Sequence, residues 1–220
     1  MLIMGLKNFF TLSFVTFLLL TTIGCSSDND ERVEYDSGND VSFYDKIPNM
    51  SEELGYWYYD KFIELVPQSE SPFRLLVVCP DVKGKTALKS IAAKGDGIVF
   101  DEVQLDKNGM CYVETNKYFE SSNFYVSASY KPMTSSDDQY NIQILPLILV
   151  KPMEGKDCQG ILNAYSGLLT LDEVKDKIGF LACHVKSSSE VLRMASEINS
   201  RDDVDWAEPN KIGEIVPFER

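Results

Sequence analysis

The chain has 220 residues, 44% of them hydrophobic and 11% aromatic, and a formal charge of −13. That apolar content excludes a disordered chain, and the length suits one generous domain or two small ones. The acidic balance argues against nucleic acid as a partner, whose phosphates it repels, and against flat adsorption on anionic lipid.

The first predicted element is the run Phe9-Phe-Thr-Leu-Ser-Phe-Val-Thr-Phe-Leu-Leu-Leu-Thr-Thr-Ile-Gly24-Cys25, with Lys7 before it and Ser26-Ser-Asp-Asn-Asp-Glu31 after it. It is too short to span a bilayer with margin and ends in small residues. The arrangement resembles a bacterial lipoprotein signal peptide, departing from it at Thr22, where that family usually has an aliphatic residue. The resemblance implies that 1–24 are removed and that Cys25 carries acyl chains such as palmitate as the mature N-terminus. A plain secretory signal or a single anchor helix is the alternative. The acidic run also resembles the export tag of surface lipoproteins, which implies an outer-membrane anchor with the body at the cell surface; a periplasm-facing body is the second choice. The mature charge is then −14, and membrane contact comes from the lipid alone. Residues 25–50, rich in Ser, Asp and Asn, read as a flexible acidic tether.

Residues 51–140 read as an N-terminal α+β unit. Tyr56-Trp57-Tyr58-Tyr59, then Asp60-Lys61, then Phe62-Ile-Glu-Leu-Val66 predict a hairpin turning at 60–61. Its aromatic cluster is either cross-strand packing or a surface patch. Phe73-Arg-Leu-Leu-Val-Val-Cys79 predicts a central strand. Ala87, Leu88, Ile91 and Ala92 have helical spacing within 84–94. Strands follow over 97–105 and 110–113 around the hairpin signal Asn108-Gly109, and over 124–130.

Residues 141–210 read as a second α+β unit. Pro146 interrupts the apolar run 142–150, demoting its opening residues and leaving a strand over 147–151. Thr170-Leu-Asp-Glu173 matches a capping box and predicts a helix with Leu171, Val174 and Ile178 on one face and Gly179 as its stop. Strand 180–185 follows, then a second capping box, Ser187-Ser-Ser-Glu190, with a helix bearing Val191, Met194, Ala195 and Ile198. A short strand over 204–210 ends the unit. Together these elements predict an α+β open sandwich with helices on one face of a sheet.

The segment Ser189-Glu-Val-Leu-Arg-Met-Ala-Ser-Glu-Ile-Asn-Ser-Arg-Asp-Asp-Val-Asp-Trp-Ala-Glu-Pro-Asn210 resembles the end of a subtilisin-like peptidase prodomain. The clear likeness covers about 35 residues, from Gly179 to Asn210. It implies a ferredoxin-like fold, with two strands between two helices. Only 180–185 is evident between Gly179 and Ser187, so 159–165 is a candidate for the missing strand. The sequence ends ten residues past Asn210, so no peptidase domain is expected. The family's mechanism implies a peptidase partner, with the tail 211–220 lying in its cleft as an added strand. Trp206 and Ala207 would seat that strand, and Ile212, Ile215, Val216, Phe218 and Arg220 would make the contacts.

No catalytic constellation is apparent. The sole histidine, His184, is next to Cys183 on a strand, so their side chains oppose. The acidic clusters 135–138 and 201–203 read as turn chemistry, no glycine-rich phosphate loop occurs, and neither a metal site nor a small-molecule cofactor is expected. Cys79, Cys111, Cys158 and Cys183 allow three disulfide pairings in an exported chain, or none. The expected function is a non-enzymatic, lipid-tethered inhibitor or folding helper of a peptidase. The alternatives are a surface lipoprotein binding glycan or protein through Tyr56, Trp57, Tyr58 and Tyr59, and a relic of a peptidase precursor.

Overall fold

The computed structural model describes residues 41–48, 54–58, 61–69, 71–94, 98–99, 105–133 and 140–213. The signal segment, Cys25, Tyr59, the cluster 135–138 and the tail residues Ile215, Val216, Phe218 and Arg220 lie outside them. The described elements are β1 (Val41–Tyr44), β2 (Gly55–Tyr58), β3 (Lys61–Pro67), β4 (Phe73–Val78), α1 (Val82–Lys94), β5 (Ile98–Val99), β6 (Met110–Thr115), β7 (Tyr118–Ser121) and β8 (Tyr125–Pro132). They continue with β9 (Ile142–Pro152), α2 (Gln159–Ala164), β10 (Leu169–Lys175), β11 (Ile178–Cys183), α3 (Ser188–Asn199) and β12 (Val204–Gly213). The class is α+β, and every strand pairing between these elements is antiparallel.

One ten-stranded sheet runs β10-β11-β9-β8-β4-β6-β5, with β12 along the other edge of β9 and the β2–β3 hairpin joined through β3 to β8. The sheet is therefore continuous across the junction of the two units, through Ser129 opposite Gln143 and Tyr130 opposite Ile142. A separate pair joins β1 to β7.

Several elements differ from expectation. Residues 41–44 belong to β1 and not to the tether: Phe43 and Tyr44 pack their rings on Phe119 and Tyr118, at 6.1 and 6.3 Å between centroids. The aromatic hairpin forms with Tyr58 opposite Lys61, so Lys61 is a strand residue and not part of the turn. Pro146 does not interrupt β9. It lies between the stretch paired with β8 (142–143) and the stretch paired with β11 (147–150), and opposite the register shift of β12 between Pro209 and Lys211. A missing N–H costs no ladder bond at such a gap.

The largest difference is at 169–183. Residues 170–178 do not form a helix; β10 and β11 form a hairpin whose turn residues, Asp176 (φ 51°) and Lys177 (φ 67°), are both left-handed. That pair of φ values marks a two-residue hairpin turn, and a helix of nine residues is marginal without a packed face. Gly179 is no helix stop but a strand residue, where any Cβ would run into the Cys158 sulfur. The segment 159–165 is no strand, since it carries α2. The second capping box does form, with the Glu190 carboxylate accepting the N–H groups of Ser187 (3.1 Å) and Lys186 (2.9 Å).

Candidate docking site

From residue 142 onward the elements run β9-α2-β10-β11-α3-β12, and their strands lie side by side as β12-β9-β11-β10. Strand alternation makes the two faces of this region unlike. Gly179, Leu181 and Cys183 of β11, Ile148 and Val150 of β9 and Ala207 of β12 are buried on the helix side. There they meet Ile161 of α2 and Val191, Leu192, Met194, Ala195 and Ile198 of α3. The opposite face carries half-buried Leu147, Leu149, Phe180, Ala182 and Trp206. Register places Leu149 between Phe180 and Glu208, Ala182 beside Leu147, and Trp206 beside Lys151.

The residues expected to bind a partner separate by role. Ala207 is buried, and its N–H donates to the Asn199 carboxamide oxygen at 2.8 Å, so it fixes β12 to α3. Trp206 is on the opposite face. Ile212 is a sheet residue opposite Gln143, because β12 runs to Gly213; the tail expected from 211 begins no earlier than 214. At the strand's entry, Arg201 donates two hydrogen bonds of 2.8 Å to Asp203, which hold that carboxyl below its ordinary range. Asp205 pairs with Lys151 at 2.7 Å.

The aromatic hairpin meets the far end of the same strand. The Lys211 ammonium stands 4.3 Å from the Tyr56 ring centre and 6.0 Å from that of Tyr58, and 3.4 Å from the Glu208 carboxylate. Burial first, and then the neighbouring Tyr140 and Glu208, push the Tyr56 hydroxyl up to about 12. Trp57, edge-on to Phe62 at 5.5 Å, and Tyr58 are exposed, but as strand neighbours they face opposite ways. The exposed rings of the hairpin are therefore divided between its two faces.

A cleft of about 880 Å3 was not foreseen. It opens between α2, the β9–α2 link and the inner side of β10, lined among others by Met153, Leu162, Leu171, Val174 and Lys177. With six residues, α2 is too short to cover β10, and Leu171 and Val174 are left exposed. Reading 170–178 as a helix hides this cleft; the alternation of Leu147 and Leu149 was the available signal for the opposite face.

His184 is exposed, with its Nε2 2.9 Å from the Thr170 hydroxyl. Cys183 points the other way, its thiol pushed up to about 12 by burial. Among the described residues no group of three His, Cys, Asp or Glu side chains is placed to hold a metal ion, and no helix is long and apolar enough to cross a membrane. A scan of protein-family models, a search of curated proteins and a search of solved structures each returned no match to this chain.

Proposed function

We propose that the chain is a stand-alone, lipid-tethered inhibitor or folding helper of a peptidase, built on a ferredoxin-like unit over 142–213. One observation carries this reading: the succession β9-α2-β10-β11-α3-β12 in the side-by-side order β12-β9-β11-β10. Split βαβ units have this order, and two strands between two helices are what the prodomain resemblance at 189–210 implies. The sheet face of Leu147, Leu149, Phe180 and Trp206 is the surface that would lie on the peptidase. The segment after Gly213 would enter the substrate cleft as an added strand, with Ile215, Val216, Phe218 and Arg220 supplying its side chains. Acyl chains on Cys25 would hold the assembly at the outer membrane. The binding work needs no chemistry from this chain, in keeping with its non-enzymatic reading.

The test is inhibition of subtilisin-like and Arg-directed peptidases by the full chain in detergent. Micromolar inhibition that falls at least tenfold when the chain is cut after Gly213, and again with Phe180→Glu, is the expected result. No inhibition of either class at micromolar concentration removes the proposal. Inhibition that survives the cut but not Phe180→Glu assigns the binding to the sheet face alone.

A further inference from the structure

Strand β10 ends the sheet and pairs only with β11; among the described residues no strand lies against its outer edge. Alternation assigns the backbone groups there. The His184 N–H donates to the Leu168 carbonyl, so Leu168 bonds inward to β11 and Leu169 points outward. The Leu169 N–H is taken by the Tyr165 carbonyl at 3.1 Å. Two residues on, the N–H and C=O of Leu171 again point outward. At the other end, Lys175 and Ile178 close the two-residue turn with bonds to each other, so Val174 points outward as well. An edge of this kind is a template for one more strand.

The side chains of the same two residues are apolar and exposed, and they line the cleft of about 880 Å3 together with Met153 and Leu162. An added strand would gain ladder bonds at Leu171 and Val174 and a floor for its own apolar side chains. On the other face of β10, Glu173 is opposite Phe180, and Asp172 occupies the bulge beside it. Both carboxylates are exposed, and they select the occupant. A two-fold pairing with a second copy, centred on this stretch, sets Asp172 and Glu173 against their own counterparts, and like charges across strands repel. A strand with cations at those positions is attracted instead.

We infer that the outer edge of β10 takes an extended, antiparallel strand from a partner protein, in which apolar residues alternate with lysine or arginine. The apolar side chains lie in the cleft, and the cations lie beside Asp172 and Glu173. The peptidase reading uses the sheet face and the tail, so the two proposals can fail separately.

The experiment is titration of the full chain in detergent against a fluorescent peptide of alternating valine and lysine, read by anisotropy. In antiparallel pairing the residues opposite Leu171 and Val174 turn their N–H groups toward β10, and these are the valines. N-methylation of the valine amides should weaken binding about tenfold or more, and N-methylation of the lysine amides should change it by less than about threefold. Leu171→Gln with Val174→Gln, both at exposed positions, should also lose about tenfold. Asp172→Lys with Glu173→Lys should shift the preference to a peptide of alternating valine and glutamate. No binding at millimolar concentration, equal losses from the two methylated peptides, or binding untouched by either double substitution overturns the proposal. Self-association that Leu171→Gln with Val174→Gln abolishes would give the edge to a second copy, and overturns it too.

Discussion

Before residue 140 the largest fully buried side chains are rings, Phe73, Tyr118, Phe119 and Tyr130; from 142 to 213 they are aliphatic, Ile144, Ile148, Ile161, Leu181 and Leu192. A buried tyrosine brings a hydroxyl that needs a partner in a place without water. Two of these hydroxyls find theirs across the junction. Tyr125 donates to the Ile144 carbonyl at 2.8 Å, and Tyr130 shares a 2.7 Å hydrogen bond with Ser188 at the start of α3. Backbone donors cross the junction in both directions: the Val126 N–H donates to the Lys186 carbonyl, and the Ile144 N–H donates to the Ser127 hydroxyl. The aromatic half thus completes its interior with atoms of the aliphatic half, which in turn takes the partner of the Ile144 N–H from Ser127 and seats Lys211 on the Tyr56 ring. The two halves share a sheet and a set of polar ties, but the buried tyrosine hydroxyls that need a partner all lie in the first half.

The largest effect should come from cutting the chain at this junction. Residues 141–220 alone are expected to unfold cooperatively in urea, whereas 25–140 alone should lack near-ultraviolet circular dichroism and a cooperative transition. A cooperative 25–140 fragment would show that its tyrosine hydroxyls do not need the second half.

Inside the aliphatic half the contrast is between β9 and β10. Ile148 is fully buried, and Ile148→Ala should cost about 3 kcal/mol by lost burial and the cavity left behind. Leu171 is 44% exposed above a cleft, and Leu171→Ala should cost less than about 1 kcal/mol. Urea midpoints decide it, and equal losses would mean that the inner side of β10 is covered.

At the junction itself, Tyr130→Phe leaves the Ser188 hydroxyl only the Ala128 N–H at 3.4 Å and should cost about 1–2 kcal/mol. Combined with Ser188→Ala, it should show a coupling of about 1 kcal/mol in a double-mutant cycle. An opposite sign is expected beside Ile144, where the Gln143 amide is buried with neither end hydrogen-bonded among the described residues. Gln143→Met removes that desolvated amide and should gain about 1 kcal/mol.

The contrast between halves also explains what could be read in advance. Helices α1 and α3 were legible because Leu88 with Ile91, and Val191 with Ala195 and Ile198, repeat at helical spacing and α3 has a capping box that closes. Strand β4 was legible as central from its unbroken apolar run, and it does pair on both edges. The hairpin at 169–183 was not legible. Thr170-Leu-Asp-Glu173 carries the letters of a cap, but Leu171 and Val174 are exposed, so apolar spacing there reports no packed face. What decides that segment is pairing with β11 and the left-handed turn at 176–177, both of which depend on residues outside the motif. For the candidate site, Trp206 was foreseen as a strand residue, whereas the companion positions Leu149 and Phe180 are brought together only by the register of three strands. Position 41–44 was lost for a similar reason: Val41-Ser-Phe43-Tyr44 is short and polar-flanked, and becomes a strand because β7 pairs with it.

The smallest predicted effect is in the aromatic half and depends on pH. Glu120 accepts a 3.2 Å hydrogen bond from the Tyr118 hydroxyl. Burial raises its pKa above the ordinary carboxylate value, and the field of Glu190 adds to this, while Tyr118 and Lys186 oppose it. A carboxyl with a raised folded pKa binds its proton more readily folded than unfolded. It therefore favours the fold when protonated, and that contribution is lost as pH rises through the folded pKa. Glu120→Gln keeps an oxygen for the Tyr118 hydroxyl and never ionises. The variant should melt at a higher temperature than wild type at pH 7, with the difference shrinking toward zero as pH falls to the unfolded carboxylate range near about 4. Parallel curves across that range would mean that the carboxylate is solvated, and that the aromatic half reaches outward to water at β7 as well as across the junction.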